Sequence, residues 1–145
     1  MKVFVSSKVN GQQFQEINRA IKKIIEEAGF QAHLPQEALP VKDNPPSIKI
    51  LVHNEGAIDR CDIVLAIFDY LDTGSAMELG RARARNKKIV AFRSPEHEKS
   101  VALGKMLEGL WQRIPARDKA SSLDELKEVM RRLNNESLNS NTVRN

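Results

Sequence analysis

Two carboxylates, Asp72 and Glu78, share the segment Asp72-Thr73-Gly74-Ser75-Ala76-Met77-Glu78-Leu79-Gly80, which follows the apolar run Ile63-Val64-Leu65-Ala66-Ile67-Phe68. The segment reads as a strand exit leading into a helix. A glycine there lets the chain turn tightly, and the free N–H groups of a helix start form an electropositive pocket for an anion or a sugar oxygen. Carboxylates beside such a pocket suit a nucleoside or nucleotide. Plainer readings stand beside this one. Ser75 and Glu78 have the spacing of a capping box, in which Glu78 would only stabilise the helix start by roughly 1 kcal/mol. Asp72 is a common turn former before glycine, and Glu78 is spaced to pair with Arg81.

The elements that must carry these residues alternate between strand and helix. Lys2 to Ser6 is a short β-branched and aromatic run. Phe14, Ile17, Ile21, Ile24, Ile25 and Ala28 then recur at helical spacing until Gly29. Phe30 to Leu34 reads as a second strand, and Pro35, Pro40, Pro45 and Pro46 mark a loop. From Ser47 to about Arg60 a helix presents Ile50, Asn54, Ala57, Ile58 and Cys61 on one face. Ile63 to Phe68 has the unbroken apolar character of a central parallel strand. The helix expected from Ser75 to about Asn86 carries Ala76, Gly80 and Ala84, a small-residue stripe suited to close approach to a sheet. Lys88 to Phe92 is the next strand, followed by a helix from about Ser100 to Leu110 and a short strand around Trp111 to Ile114. A last helix spans Ser122 to Leu133, opened by the capping-box pair Ser122 and Glu125. The Asn- and Ser-rich remainder predicts one domain over residues 1–134 and a frayed tail over 135–145.

This alternation implies a parallel α/β sheet with right-handed crossovers, in strand order 2-1-3-4-5. Ligands of such sheets bind beyond the carboxyl ends of the strands where the winding reverses, here between the first and third. Ser6, Ser7 and Lys8 leave the first strand, and Asp69, Asp72, Gly74, Ser75 and Glu78 follow the third. Hydroxyls, a lysine and carboxylates are thus predicted to converge.

Composition excludes several classes. The chain has 145 residues, 41% of them hydrophobic, enough for one sizeable core. A net charge of +4 is spread thinly, aromatic content is 5%, and no basic run is interleaved with aromatics, which argues against a nucleic-acid partner. The single cysteine, Cys61, excludes an internal disulfide and reads as a core residue in a reducing compartment. No apolar run approaches membrane-spanning length, so a cytoplasmic protein without a membrane partner is expected. His33, His53 and His97 lack metal-ligand spacing, and neither G-x-G-x-x-G nor a Walker motif is present. No metal and no cofactor are expected. The three residues Arg81, Arg83 and Arg85 make no single basic strip.

With Cys61-Asp62-Ile63-Val64-Leu65-Ala66 before it and Asn86-Lys87-Lys88-Ile89-Val90-Ala91 after it, the Asp72–Gly80 segment resembles the nucleoside 2-deoxyribosyltransferase family. Gly29-Phe30-Gln31-Ala32-His33-Leu34-Pro35-Gln36-Glu37 is similar to that family's second strand and its exit. The resemblance implies a flavodoxin-like, Rossmann-like three-layer fold and cleavage or transfer at the N-glycosidic bond of a 2′-deoxynucleoside. It implies Glu78 as the nucleophile that forms a covalent deoxyribosyl ester, a chemistry suited to a carboxylate facing an oxocarbenium-like transition state. Asp72 matches a position that holds the sugar, and Gln36 a glutamine that contacts the base. Ser7, Gly74 and Ser75 match the region that receives the 5′ end, with Ser6 and Lys8 beside it. The family also implies a homodimer or higher homo-oligomer with shared active sites, the neighbouring subunit contributing the segment Gly104-Lys105-Met106-Leu107-Glu108-Gly109, in which Met106 is a substrate-binding candidate.

Three positions depart from the family pattern. Asn54 stands where an aspartate helps protonate the leaving base, Gly104 where the neighbouring subunit offers an Asn or Ser, and Val3 where several members carry a tyrosine. Two other readings therefore stay open: a 2′-deoxynucleoside 5′-monophosphate N-hydrolase, and a binding or sensing module without chemistry. Asp72 would repel a phosphate, whereas Ser7, Lys8, Ser75 and the helix start would attract one.

Overall fold

The computed structural model describes residues 1–100 and 104–142. Five strands form one wholly parallel sheet in the order β2-β1-β3-β4-β5. They are β1 (Lys2–Ser6), β2 (Gln31–His33), β3 (Ile63–Ile67), β4 (Lys88–Phe92) and β5 (Lys119–Ala120). This is the expected flavodoxin-like α/β arrangement. Each residue of β3 is buried, because helices cover the sheet on both faces. The register sets Ser6 of β1 beside Ala66 of β3, so both strands end level at the winding reversal.

On one face lie α1 (Gln12–Glu27) and α7 (Leu123–Thr142), whose Ile21, Ile25, Leu126 and Met130 pack on Val3, Val5, Leu65 and Val90. On the other lie α3 (Ser47–Arg60), α4 (Thr73–Ala84) and α6 (Lys105–Arg113), which bury Ile58, Leu79 and Ala82 against Phe4, Val64 and Ala91. Two short helices, α2 (Pro35–Ala38) and α5 (Pro95–Ser100), complete the set. Cys61 is buried in the second cluster, as expected of a small core residue.

Several elements differ from the sequence expectation. The strand expected around Trp111 is the end of α6, and β5 instead takes up Lys119 and Ala120. Trp111 is apolar enough for a strand, but it packs edge-on to Phe68 from a helix, at 5.2 Å between ring centres. Of the helix expected from Ser100, residues 101–103 lie outside the described residues. The Pro-rich stretch after β2 holds the short helix α2, which Pro35 opens at a position where the missing N–H costs nothing. The tail expected to fray from Asn134 instead continues α7 to Thr142, with Arg132 paired to Glu136 one turn on. That helix begins much as the Ser122 and Glu125 pair predicts. The Ser122 hydroxyl accepts from the Glu125 N–H at 3.1 Å, while the Glu125 carboxylate accepts from the Ser121 N–H at 2.7 Å.

Candidate functional site

The helix that carries Glu78 starts two residues earlier than its sequence suggests, and this decides which carboxylate does what. Asp72, not Ser75, is its N-cap: the Asp72 carboxylate accepts from the Ser75 N–H at 2.8 Å and from the Ser75 hydroxyl at 3.0 Å. Gly74 therefore lies within the first turn, with no positive φ, and a side chain there would meet only Asp72 Oδ1 at 3.3 Å. Smallness, rather than turning freedom, is what Gly74 contributes. The capping-box reading of Glu78 falls with it, since the Ser75 N–H and hydroxyl are engaged by Asp72. The face of α4 turned to the sheet is Ser75, Leu79 and Ala82, while Gly80 and Ala84 are exposed. The stripe of Ala76, Gly80 and Ala84 thus points away from the sheet, because burying Leu79 outweighs close approach by alanine and glycine.

Glu78 flanks that buried face and is caught between two elements. The Ser6 hydroxyl at the end of β1 donates to Oε2 at 2.6 Å, and the Asn54 amide on α3 donates to Oε1 at 3.0 Å. Arg81 leaves Glu78 alone and holds Asp59 through Nε and Nη2, at 3.0 and 2.7 Å, with Nη1 3.3 Å from Glu55. Burial raises the Glu78 carboxyl from 4.5 to about 7, the two donors opposing it and the Asp72 charge adding to it. A glutamate that is half ionised near neutrality, with both oxygens oriented by donors, is organised for chemistry rather than for helix capping.

A cleft of about 490 Å³ opens above Glu78. Ser7, Asp72, Gly74, Ser75 and Glu78 line it, as the strand exits predict, with Asn54 from α3 and with residues not expected in the site: Asn10, Pro35, Asn44, Pro45, Ser47 and Ile50. A second cavity of about 240 Å³, between α3 and α4, shares Ser47, Ile50, Asn54, Gly74 and Glu78 and is otherwise walled by Leu51, Ile58 and Met77 with Glu55 and Arg81. Glu78 and Asn54 border both spaces. The loop residues were missed because they carry no chemistry of their own. Asn44 ends the helical turn Val41–Asp43 in the left-handed conformation, at φ 41°.

Other candidates lie elsewhere. Gln36 is buried, its amide donating to the Gln15 carbonyl at 3.1 Å and accepting from Asn18 at 2.9 Å, so it ties α2 to α1 and does not line the cleft. The ammonium group of Lys8 sits 4.9 Å from the Phe14 ring centre and is likewise outside the lining. Met106 is 88% exposed near the start of α6, and Gly104 caps that helix without a side chain. Ser7 lines the cleft, its hydroxyl reaching the Lys8 carbonyl at 3.4 Å. His33 is stacked between Phe4 and His53 at 5.4 and 5.3 Å, and burial lowers its basicity. This is a packed imidazole, as the sequence reading expected.

A family model described as nucleoside 2-deoxyribosyltransferase matches residues 4–137. The chain belongs to the nucleoside 2-deoxyribosyltransferase family. Its members form a glycosyl transferase and N-glycosidase group, so the protein is read as an enzyme of that group. Solved structures repeat the fold of this deoxyribosyltransferase-family chain at low identity. A conserved protein from Enterococcus faecalis V583 superposes with a TM-score of 0.75 at 19% identity, over 91% of this chain and 98% of that one. A 2-deoxyribosyltransferase from Bacillus psychrosaccharolyticus superposes at 0.67 and 18%, over 88% and 90%. A CMP N-glycosidase from Clostridium botulinum gives 0.56 and 18%, over 88% and 96%. A search of curated protein sequences finds no match. Among the described residues no helix is long and apolar enough to cross a membrane.

Proposed function

We propose that the protein cleaves or transfers at the N-glycosidic bond of 2′-deoxynucleosides, with Glu78 as the nucleophile. The observation that carries this is the Glu78 carboxylate at the floor of the cleft, each oxygen held by a donor from a different element. Fixed in this way, a carboxylate presents a lone pair to the anomeric carbon at little further entropic cost. In the first step the bond from C1′ to the base nitrogen breaks, its electron pair leaves with the base, and an oxygen of Glu78 bonds to C1′. In the second, a new base or water attacks C1′ and releases the carboxylate. The oxocarbenium-like state between them is stabilised by the same negative charge. Ser6 and Asn54 orient the nucleophile and lower its basicity against the effect of burial.

A free nucleoside suits this cleft better than a 5′-monophosphate. The helix N-terminus that could bind phosphate is filled by its own cap, Asp72, and the described lining holds no lysine or arginine. Lys8, the cation expected to assist, is over Phe14. The similarity to a CMP N-glycosidase keeps the nucleotide reading as a second arm of the test.

Shared active sites between identical chains belong to the same proposal. Ile48, Val52 and Met77 are exposed apolar residues on α3 and α4, the helices that carry Asn54 and Glu78, and Met106 is exposed on α6. Contact between chains would cover such a surface.

The test is chromatography of deoxynucleosides and their monophosphates incubated with the protein, with and without an acceptor base. Base release or exchange from the nucleosides, abolished in Glu78→Ala, is expected. Intact substrates throughout, or tight binding without turnover, would favour a sensing role. Turnover confined to monophosphates would assign the protein to the nucleotide hydrolases.

A further inference from the structure

The cleft above Glu78 carries charge of one sign only. Its described lining contains two ionisable side chains, Glu78 and Asp72, and neither lysine, arginine nor histidine. In the structure both carboxyls act as hydrogen-bond acceptors. Glu78 must be ionised to attack, and in a displacement at C1′ it lies on the side of the sugar opposite the base. Asp72 is engaged as an acceptor by the N–H and hydroxyl of Ser75 at 2.8 and 3.0 Å. Asn54, which reaches the same carboxylate from α3, is an amide and has no acidic proton to give.

Two physical consequences follow from this arrangement. With no general acid in the described lining, a neutral base departs with its electron pair unneutralised, which forgoes the factor of about 10²–10⁴ that a positioned acid supplies. A base that is already cationic leaves as a neutral molecule and needs no proton. In addition, two carboxylates in a partly enclosed cleft whose described lining holds no cation attract positive charge and repel negative charge.

Resting on the glycosidic reading above, we propose that this site selects nucleosides whose base carries a positive charge, with N7-alkylated purine 2′-deoxynucleosides as the type. In the reaction the bond between C1′ and N9 breaks, its electron pair neutralises the cationic purine, and the Glu78 carboxylate forms the ester to C1′. Water then adds to C1′ and returns Glu78 as a carboxylate, the proton passing to solvent. Net change is hydrolysis to deoxyribose and a neutral N7-alkylpurine, with no oxidant or cofactor.

The experiment compares kcat/KM of the full-length protein for 7-methyl-2′-deoxyguanosine and 2′-deoxyguanosine, molecules that differ by one methyl group and its charge. Spontaneous loss of base is subtracted in enzyme-free controls, and Glu78→Gln serves as the inert protein. A preference for the cationic substrate of roughly 10²–10⁴-fold is expected. Values for the two substrates within about tenfold of each other would overturn the proposal while leaving the glycosidic reading intact, because some other group would then be protonating guanine. Absence of enzyme-dependent cleavage of either substrate would overturn both.

Discussion

At the residue scale the protein turns on how Glu78 is held. Its carboxyl sits near 7 because burial outweighs two hydrogen bonds, and this has consequences for activity and for stability. The proposed nucleophilic role requires the ionised form, so kcat/KM for a substrate with a cationic base should rise with pH through about 7 and then level off. Asn54→Ala removes one of the donors that favour the ionised form, and the rise should move to higher pH, with kcat reduced. Stability runs the other way. Because the folded value lies above the unfolded one, the protonated form stabilises the fold below the ordinary glutamate range, and that contribution is lost as pH climbs from about 4.5 through about 7. Glu78→Gln keeps the shape without the charge. Thermal unfolding should show it more stable than the native protein above neutrality, by roughly 1–3 kcal/mol, with the advantage gone in the ordinary glutamate range. The same variant should lose at least about 10³-fold in kcat/KM.

At the scale of the element, α4 joins fold and site, since its cap lines the cleft. Asp72→Ala should destabilise the protein by about 1 kcal/mol through the lost cap, measured by denaturant unfolding, and should also weaken activity. Asp72→Asn keeps a capping oxygen and should leave stability within about 0.5 kcal/mol of the native value. If Asp72 also holds the sugar, the Asn variant will nonetheless raise KM, and an unchanged KM would reduce Asp72 to a cap. Sequence spacing could not make this distinction. Ser75 and Glu78 fit a capping box and Asp72 a turn, and only the observed start at Thr73 shows that Asp72 is the cap and that Glu78 takes no part in capping. The small-residue stripe misled for a similar reason, as periodicity finds a face but not what it faces.

At the scale of the whole molecule, the proposed sharing of sites predicts that apolar residues exposed on α3 and α4 lie between two copies of the chain. Val52→Asp combined with Met77→Glu should shift sedimentation toward monomer and reduce activity, because neither residue supports the core, at 61% and 64% exposure. A monomeric native protein would contradict the shared-site part of the proposal.

By itself the sequence determined the strand order, the first four strands and the residues at their exits, while the fifth strand lies further along the chain than its pattern suggested. Alternating apolar periods admit few connections, and parallel crossovers have one hand. It also carried the family motif, and with it Glu78. Only the tertiary structure decided which neighbours those residues keep. Ser6 and Asn54 meet Glu78 from separate elements 72 and 24 residues away along the chain. Gln36, matched to a base contact, is instead spent on Asn18 and the Gln15 carbonyl. Lys8 turns to an aromatic ring. The physical reason is common to all of these. A side chain's type fixes what it can bond, but the partner it bonds is whichever group packing brings within hydrogen-bond reach, and packing is a property of the whole chain.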